Sequence, residues 1–175
     1  MKRKASKPLR VSVTLAMLAA ISIVCGKFLA LNLTDFMRFS FENLPVIFAG
    51  IMYGPLAGAA VGAVADLLGS IMVGYAINPI ITVGAATVGL VSGVTWWLTG
   101  ILDKLPHGLS IGITVGVAHI IGSVIIKSLG LMVFYSIPLY LLMAWRLLNY
   151  LIVGVVEGLL IYILTKSPAL MDLMK

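Results

Sequence analysis

The chain's 175 residues include 12 basic and 6 acidic side chains, a net charge of +6; 61% are hydrophobic and only 10% charged. With a mean hydropathy of +1.15, this composition exceeds what a water-soluble domain of that length can hide in its interior, whereas a bilayer accepts it directly. The basic residues crowd the two ends of the chain, as the positive-inside rule expects of cytoplasmic segments, and this sets nucleic-acid binding aside.

Lys2, Arg3, Lys4, Lys7 and Arg10 surround the start of a first apolar crossing, Leu9 to Leu31. That run is longer than the roughly 7–15 residues of a signal-peptide core, so it is expected to remain as a transmembrane helix. Cys25 is the sole cysteine, which excludes an internal disulfide. In the polar loop from Asn32 to Asn43, Met37, Phe39 and Phe41 alternate with Arg38, Ser40 and Glu42, a period of two that predicts a short extended lid. Leu44 to Tyr53 follows. Ten helical residues reach about 15 Å, half a hydrocarbon core, so this second span is expected to be short and to begin below the outer surface.

Gly54-Pro55 ends that span and opens a third crossing, Pro55 to about Met72. Gly54, Gly58 and Gly62 recur there at intervals of four and predict close helix contact. After a loop from Val73 to Pro79, a fourth crossing runs from Ile80 to Leu102, with Trp96 and Trp97 near its cytoplasmic end. The fifth is expected from Leu109 to Tyr135 and the sixth, after Pro138, from Leu139 to Thr165. The predicted fold is an all-α integral membrane protein, a six-transmembrane-helix bundle with a short second span and both termini cytoplasmic. One domain is expected over residues 1–175.

Ionisable groups inside apolar spans are costly, so those that occur are candidate functional groups. The threading gathers Lys27, Arg38, Lys127, Arg146 and Asn149 in the outer half, with Asp66 and His119 near mid-membrane and Tyr75 and Asn78 capping the same side. Phe39 and Phe41 flank the opening. The four cations face the carboxylates of Asp35, Glu42 and Asp66, and this excess of positive charge favours an anion. Arg146 would grip a carboxylate bidentately and Lys127 would supply a mobile point charge. The plainer alternatives are that Lys127 snorkels to the interface, that Asp66 forms a structural ion pair with Arg146 or Lys127, and that His119 is a packing residue. Glu157 lies toward the cytoplasmic end and is read as a packing or partner-contact residue.

Catalytic signals are weak. Gly108-Leu109-Ser110-Ile111-Gly112 fits a nucleophile-elbow pattern but opens a helix without a preceding strand, so Ser110 reads as a helix-start residue and no catalytic residue is assigned. His107 and His119 lack the clustered spacing of a metal site, and no metal or cofactor is expected. Without a Walker motif the chain cannot itself power transport.

The stretch Asn43-Leu44-Pro45-Val46-Ile47-Phe48-Ala49-Gly50-Ile51-Met52-Tyr53-Gly54-Pro55-Leu56-Ala57-Gly58, continuing through Gly62 and Asp66 to Gly69, resembles the substrate-binding S components of energy-coupling factor (ECF) vitamin transporters. Pro79 with its following helix, and Pro138 with Arg146 and Asn149, are similar to later segments of the folate-specific branch. The resemblance implies a high-affinity folate-binding subunit that captures its vitamin outside the cell. It would then dock on a transmembrane scaffold subunit driven by two cytoplasmic ATPases. It also implies that Ala16 and Ala20, at Ala-x-x-x-Ala spacing on the first helix, pack on the scaffold subunit. The expected location is the cell membrane of a bacterium. The competing readings are an S component for another vitamin or precursor, an intramembrane enzyme using Asp66, His119 and Ser110, and a structural membrane subunit without a small-molecule site.

Overall fold

The computed structural model describes residues 7–32, 38–101 and 105–168. The expectations for Lys2, Arg3, Lys4, Asp35, Met37 and both chain ends fall outside them. Helix α1 (Lys7–Ile23) continues into a π-helical turn, Val24–Phe28. Strand β1 (Leu31–Asn32) pairs antiparallel with β2 (Arg38–Phe39), Leu31 opposite Phe39 and Asn32 opposite Arg38; the period-two pattern predicts extended chain at β2, whereas β1 falls outside it. Helices α2 (Asn43–Tyr53), α3 (Pro55–Met72) and α4 (Pro79–Ile101) follow. Next, α5 (His107–Ala118) runs through a π-helical stretch, His119–Ile126, into α6 (Lys127–Tyr135) as one rod; α7 (Leu139–Lys166) closes the bundle. Among the described residues, five helical rods are long and apolar enough to cross a membrane, and α2 is a shorter apolar helix.

Local chemistry explains the joints. Gly54 takes a φ of 93°, a conformation open to glycine, and turns α2 directly into α3, whose first residue is Pro55. The Asn78 side chain caps α4: its Oδ1 accepts from the backbone N–H groups of Ile80 (3.0 Å) and Ile81 (3.3 Å), and its Nδ2 donates to the Gly130 carbonyl on α6. Ser136, at φ 53°, ends α6 ahead of Pro138.

Helix α2 is the core element. From Pro45 to Ile51 every residue is buried, against Leu18, Ala19 and Ile23 of α1, Val61 and Ala65 of α3 and Val88 of α4. Eleven residues make it about 16 Å long, so it fills one end of the bundle and leaves room above its amino terminus. The outer faces stay apolar: Leu147, Leu148, Leu151, Ile152, Val155 and Leu159 of α7 are all exposed, as a helix against lipid requires.

The small-residue spacing produces the predicted contact between α3 and α4. A Cβ at Gly89 would collide with the Gly58 carbonyl, and one at Gly58 with the Gly89 carbonyl. Gly89→Ala is therefore expected to destabilise the protein by about 1–3 kcal/mol. Gly112→Ala on α5, where nothing lies within 4 Å of the added methyl, is expected to leave stability unchanged or raise it. Thermal unfolding of both variants checks this; equal midpoints would contradict the close α3–α4 contact.

Candidate functional site

Above the amino end of α2 lies a cavity of about 650 Å³. Its walls come from the carboxyl ends of α1 and α3, the turn before α4, helix α6 and the first turns of α7, with Arg38, Ser40 and Glu42 at its rim. The size lies within the usual range for small-molecule sites.

Glu42, just before α2, anchors the charged part. Its Oε2 accepts from Arg38 Nη2 at 2.6 Å and its Oε1 from Lys127 Nζ at 2.7 Å. Lys127 is 3% exposed and also donates to Asn43 Oδ1 at 3.4 Å. Burial alone would push the Glu42 carboxyl up, but Lys127 and Arg38 together outweigh it and hold that carboxyl well below the usual carboxylate range. Arg146 takes a different partner: its Nη1 donates to the Ser123 carbonyl at 3.0 Å, while its Nε has no hydrogen-bond partner among the described residues. Asp66 accepts from the Thr82 hydroxyl at 2.7 Å. Lys27 lies with its ammonium 5.5 Å from the centre of the Tyr75 ring.

The β-pair is fastened over this space from α7. Asn149 Nδ2 donates to the Arg38 carbonyl at 2.7 Å, and the Phe39 ring meets Trp145 edge-on at 5.7 Å. Trp145 Nε1 and Asn149 Oδ1 are buried without partners among the described residues. Such atoms are costly to leave unpaired, so the α7 wall carries hydrogen-bonding capacity that the described residues do not use.

Eight of the sequence candidates line the cavity: Lys27, Arg38, Asp66, Tyr75, Asn78, Lys127, Arg146 and Asn149. Four cations and two carboxylates, Glu42 and Asp66, leave the lining with an excess of two positive charges. Three candidates do not line it. Phe39 packs on Trp145, and Phe41 is exposed. His119 is turned away, bonded through Nε2 to Glu157 Oε2 at 2.6 Å with both residues buried. Lys127 is neither a free point charge nor a snorkelling residue, because its ammonium is committed to Glu42. The Asp66 partner is Thr82 rather than Arg146 or Lys127.

The sequence reading missed Ser70, Trp145 and Tyr150 as lining residues. Trp145 stands four residues before Asn149, and Tyr150 four after Arg146, so helical spacing from those two polar residues was the available signal. Ser110 sits in the first turn of α5, nine residues and about 13 Å along the rod from His119. Asp66, His119 and Ser110 therefore do not form one constellation. Ala16 and Ala20 are both exposed on α1.

A family profile described as "ECF transporter, substrate-specific component" matches residues 10–167. The chain is 25% identical over 157 residues to the "Folate transporter FolT" of Clostridium novyi (strain NT), covering 89% of this chain and 88% of that protein. It shares its fold with the solved structure "Crystal structure of FolT bound with folic acid", at a TM-score of 0.69 and 22% identity over 86% of this chain and 89% of the other. With nearly its whole length matched, the chain belongs to the family of substrate-specific components of ECF transporters.

Proposed function

We propose that the cavity under the β-pair binds folate, and that the protein captures it for import by partner subunits. The observation that carries this reading is the cavity itself: a space with aromatic walls, hydrogen-bonding atoms on α7 left unpartnered among the described residues, and a surplus of positive charge. A flat pterin with alternating donors and acceptors suits Tyr150, Trp145 and Asn149, and the anionic glutamate tail suits Arg146, Lys27 and Arg38. The similarity to a folate transporter over nearly the whole chain supports the same choice.

In this reading residues 1–175 form one domain with six crossings, α2 being the short second one, and both termini are cytoplasmic. The protein sits in a bacterial cell membrane with the cavity facing outward, and its partners are a transmembrane scaffold subunit and two ATPases. The family is a transport component, and the spacing of Asp66, His119 and Ser110 gives no support to an intramembrane enzyme. An S component for another vitamin is the reading that competes on this scaffold.

Thermal unfolding in detergent across folic acid, riboflavin, biotin and thiamine distinguishes the two, since a ligand that binds only the folded state raises the midpoint. Folic acid is expected to give the largest rise; a larger rise with another vitamin would overturn the assignment. The exposed Ala16 and Ala20 give a separate expectation for docking. Replacing both by leucine should leave folate affinity within about twofold while abolishing co-purification with the scaffold subunit, because small residues let transmembrane helices approach closely. Intact co-purification would remove this face of α1 from the interface.

A further inference from the structure

Glu157 and His119 are buried, at 0% and 2% exposure, and bonded to each other at 2.6 Å where α7 meets the π-helical stretch. Among the described residues, the other polar atoms of the pair, His119 Nδ1 and Glu157 Oε1, have no partner, so this bond is not a link in a wider polar network. Burying a carboxylate and an imidazole in the interior costs free energy that an apolar pair of similar volume would not. What the bond does supply is direction: it holds the imidazole Nε2 toward α7. That imidazole stacks on the Tyr150 ring, with centroids 4.4 Å apart and planes 21° from parallel, and Tyr150 lines the cavity. Tyr150, Gly154 and Glu157 share one face of α7 at helical spacing, and the imidazole lies in ordinary contact range of that face at Gly154.

We propose that Glu157, acting through His119, is a positioning residue that holds Tyr150 as the stacking wall for the flat ring of the ligand. The inference rests on the folate reading for the identity of that ring. Neither Glu157 nor His119 lines the cavity, so their effect on binding runs through Tyr150 alone.

The test measures folic acid affinity by calorimetry for the wild type, Glu157→Leu and Glu157→Gln, each also in a Tyr150→Leu background. Glu157→Leu is expected to weaken binding about three- to tenfold, the scale of one aromatic stacking contact. Glu157→Gln, which can still bond the imidazole, is expected to stay within about twofold of wild type. In the Tyr150→Leu background Glu157→Leu is expected to add no more than about twofold, since coupled residues are not additive. An equal loss in both backgrounds, no loss in either, or Glu157→Gln no better than Glu157→Leu would each overturn the proposal.

A second measurement needs no ligand. Fluorotyrosine at position 150 is expected to give one narrow fluorine line in the wild type and a broadened or split one in Glu157→Leu. If the wild type binds no folic acid, the folate reading fails and the fluorine spectrum still decides: an unchanged line in Glu157→Leu overturns the positioning role. Should Glu157→Leu not fold, His119→Leu with Glu157→Leu, which removes the bond and the stacking ring and leaves no unpaired polar group, is measured in its place with the same expectations.

Discussion

Glu42→Ala is expected to lower stability by about 3–5 kcal/mol, the range for removing one partner of a buried charge pair. Lys127 is 3% exposed and its ammonium has no other carboxylate within ion-pair distance among the described residues, so the substitution strands a cation inside the bundle. The same change frees Arg38, at the carboxyl-side strand of the β-pair, from its 2.6 Å bond. Thermal unfolding should show a midpoint about 10 °C lower, and pairing Glu42→Gln with Lys127→Met should restore much of it by removing the stranded charge. Because the folded carboxyl of Glu42 is held below its ordinary value, its contribution is fully present above the unfolded pKa of about 4.3. It is lost only as pH falls through the depressed folded value, so the wild-type and variant midpoints should converge at the acid end. A midpoint unchanged to within about 1 °C at neutral pH would show that Glu42 does not hold the cluster together.

Arg146→Ala is expected to weaken folic acid binding at least tenfold, about 1.4 kcal/mol or more. Of the four lining cations, Lys127 and Arg38 are already engaged by Glu42, whereas among the described residues Arg146 hydrogen-bonds the Ser123 carbonyl alone and keeps Nε unpartnered. A guanidinium in that state has donors to offer an anionic group. Arg146→Lys keeps the charge without the planar fork and should fall between the two. Calorimetric titration of the three proteins checks the order, and unchanged affinity in Arg146→Ala would remove Arg146 from the site.

The helices were legible because bilayer thickness and apolar run length leave few threadings open. Gly54-Pro55 and Pro138 marked joints that the structure keeps at those places. The short α2 followed from a count of residues alone. The cavity lining was legible wherever a charged or amide group stood inside an apolar run, as with Asp66, Lys127, Arg146 and Asn149. It was illegible where pairing decides the role. Lys127 and Glu42 are 85 residues apart in the chain, and nothing local announces that each neutralises the other.

His119 illustrates the same limit from the other side. Depth along the rod predicted its level but not its direction, and Glu157, 38 residues later, pulls it off the cavity. Trp145 and Tyr150 were overlooked for a different reason. In a transmembrane helix an aromatic residue reads equally well as lipid-facing, and only the face shared with Arg146 and Asn149 separates the two cases.

The most direct test of the account is the structure of this protein solved after incubation with saturating folic acid. The expected result is the pterin against the Tyr150 ring inside the 650 Å³ cavity, with the glutamate tail reaching Arg146. Folic acid bound elsewhere on the bundle, or an empty cavity at saturation, would contradict it.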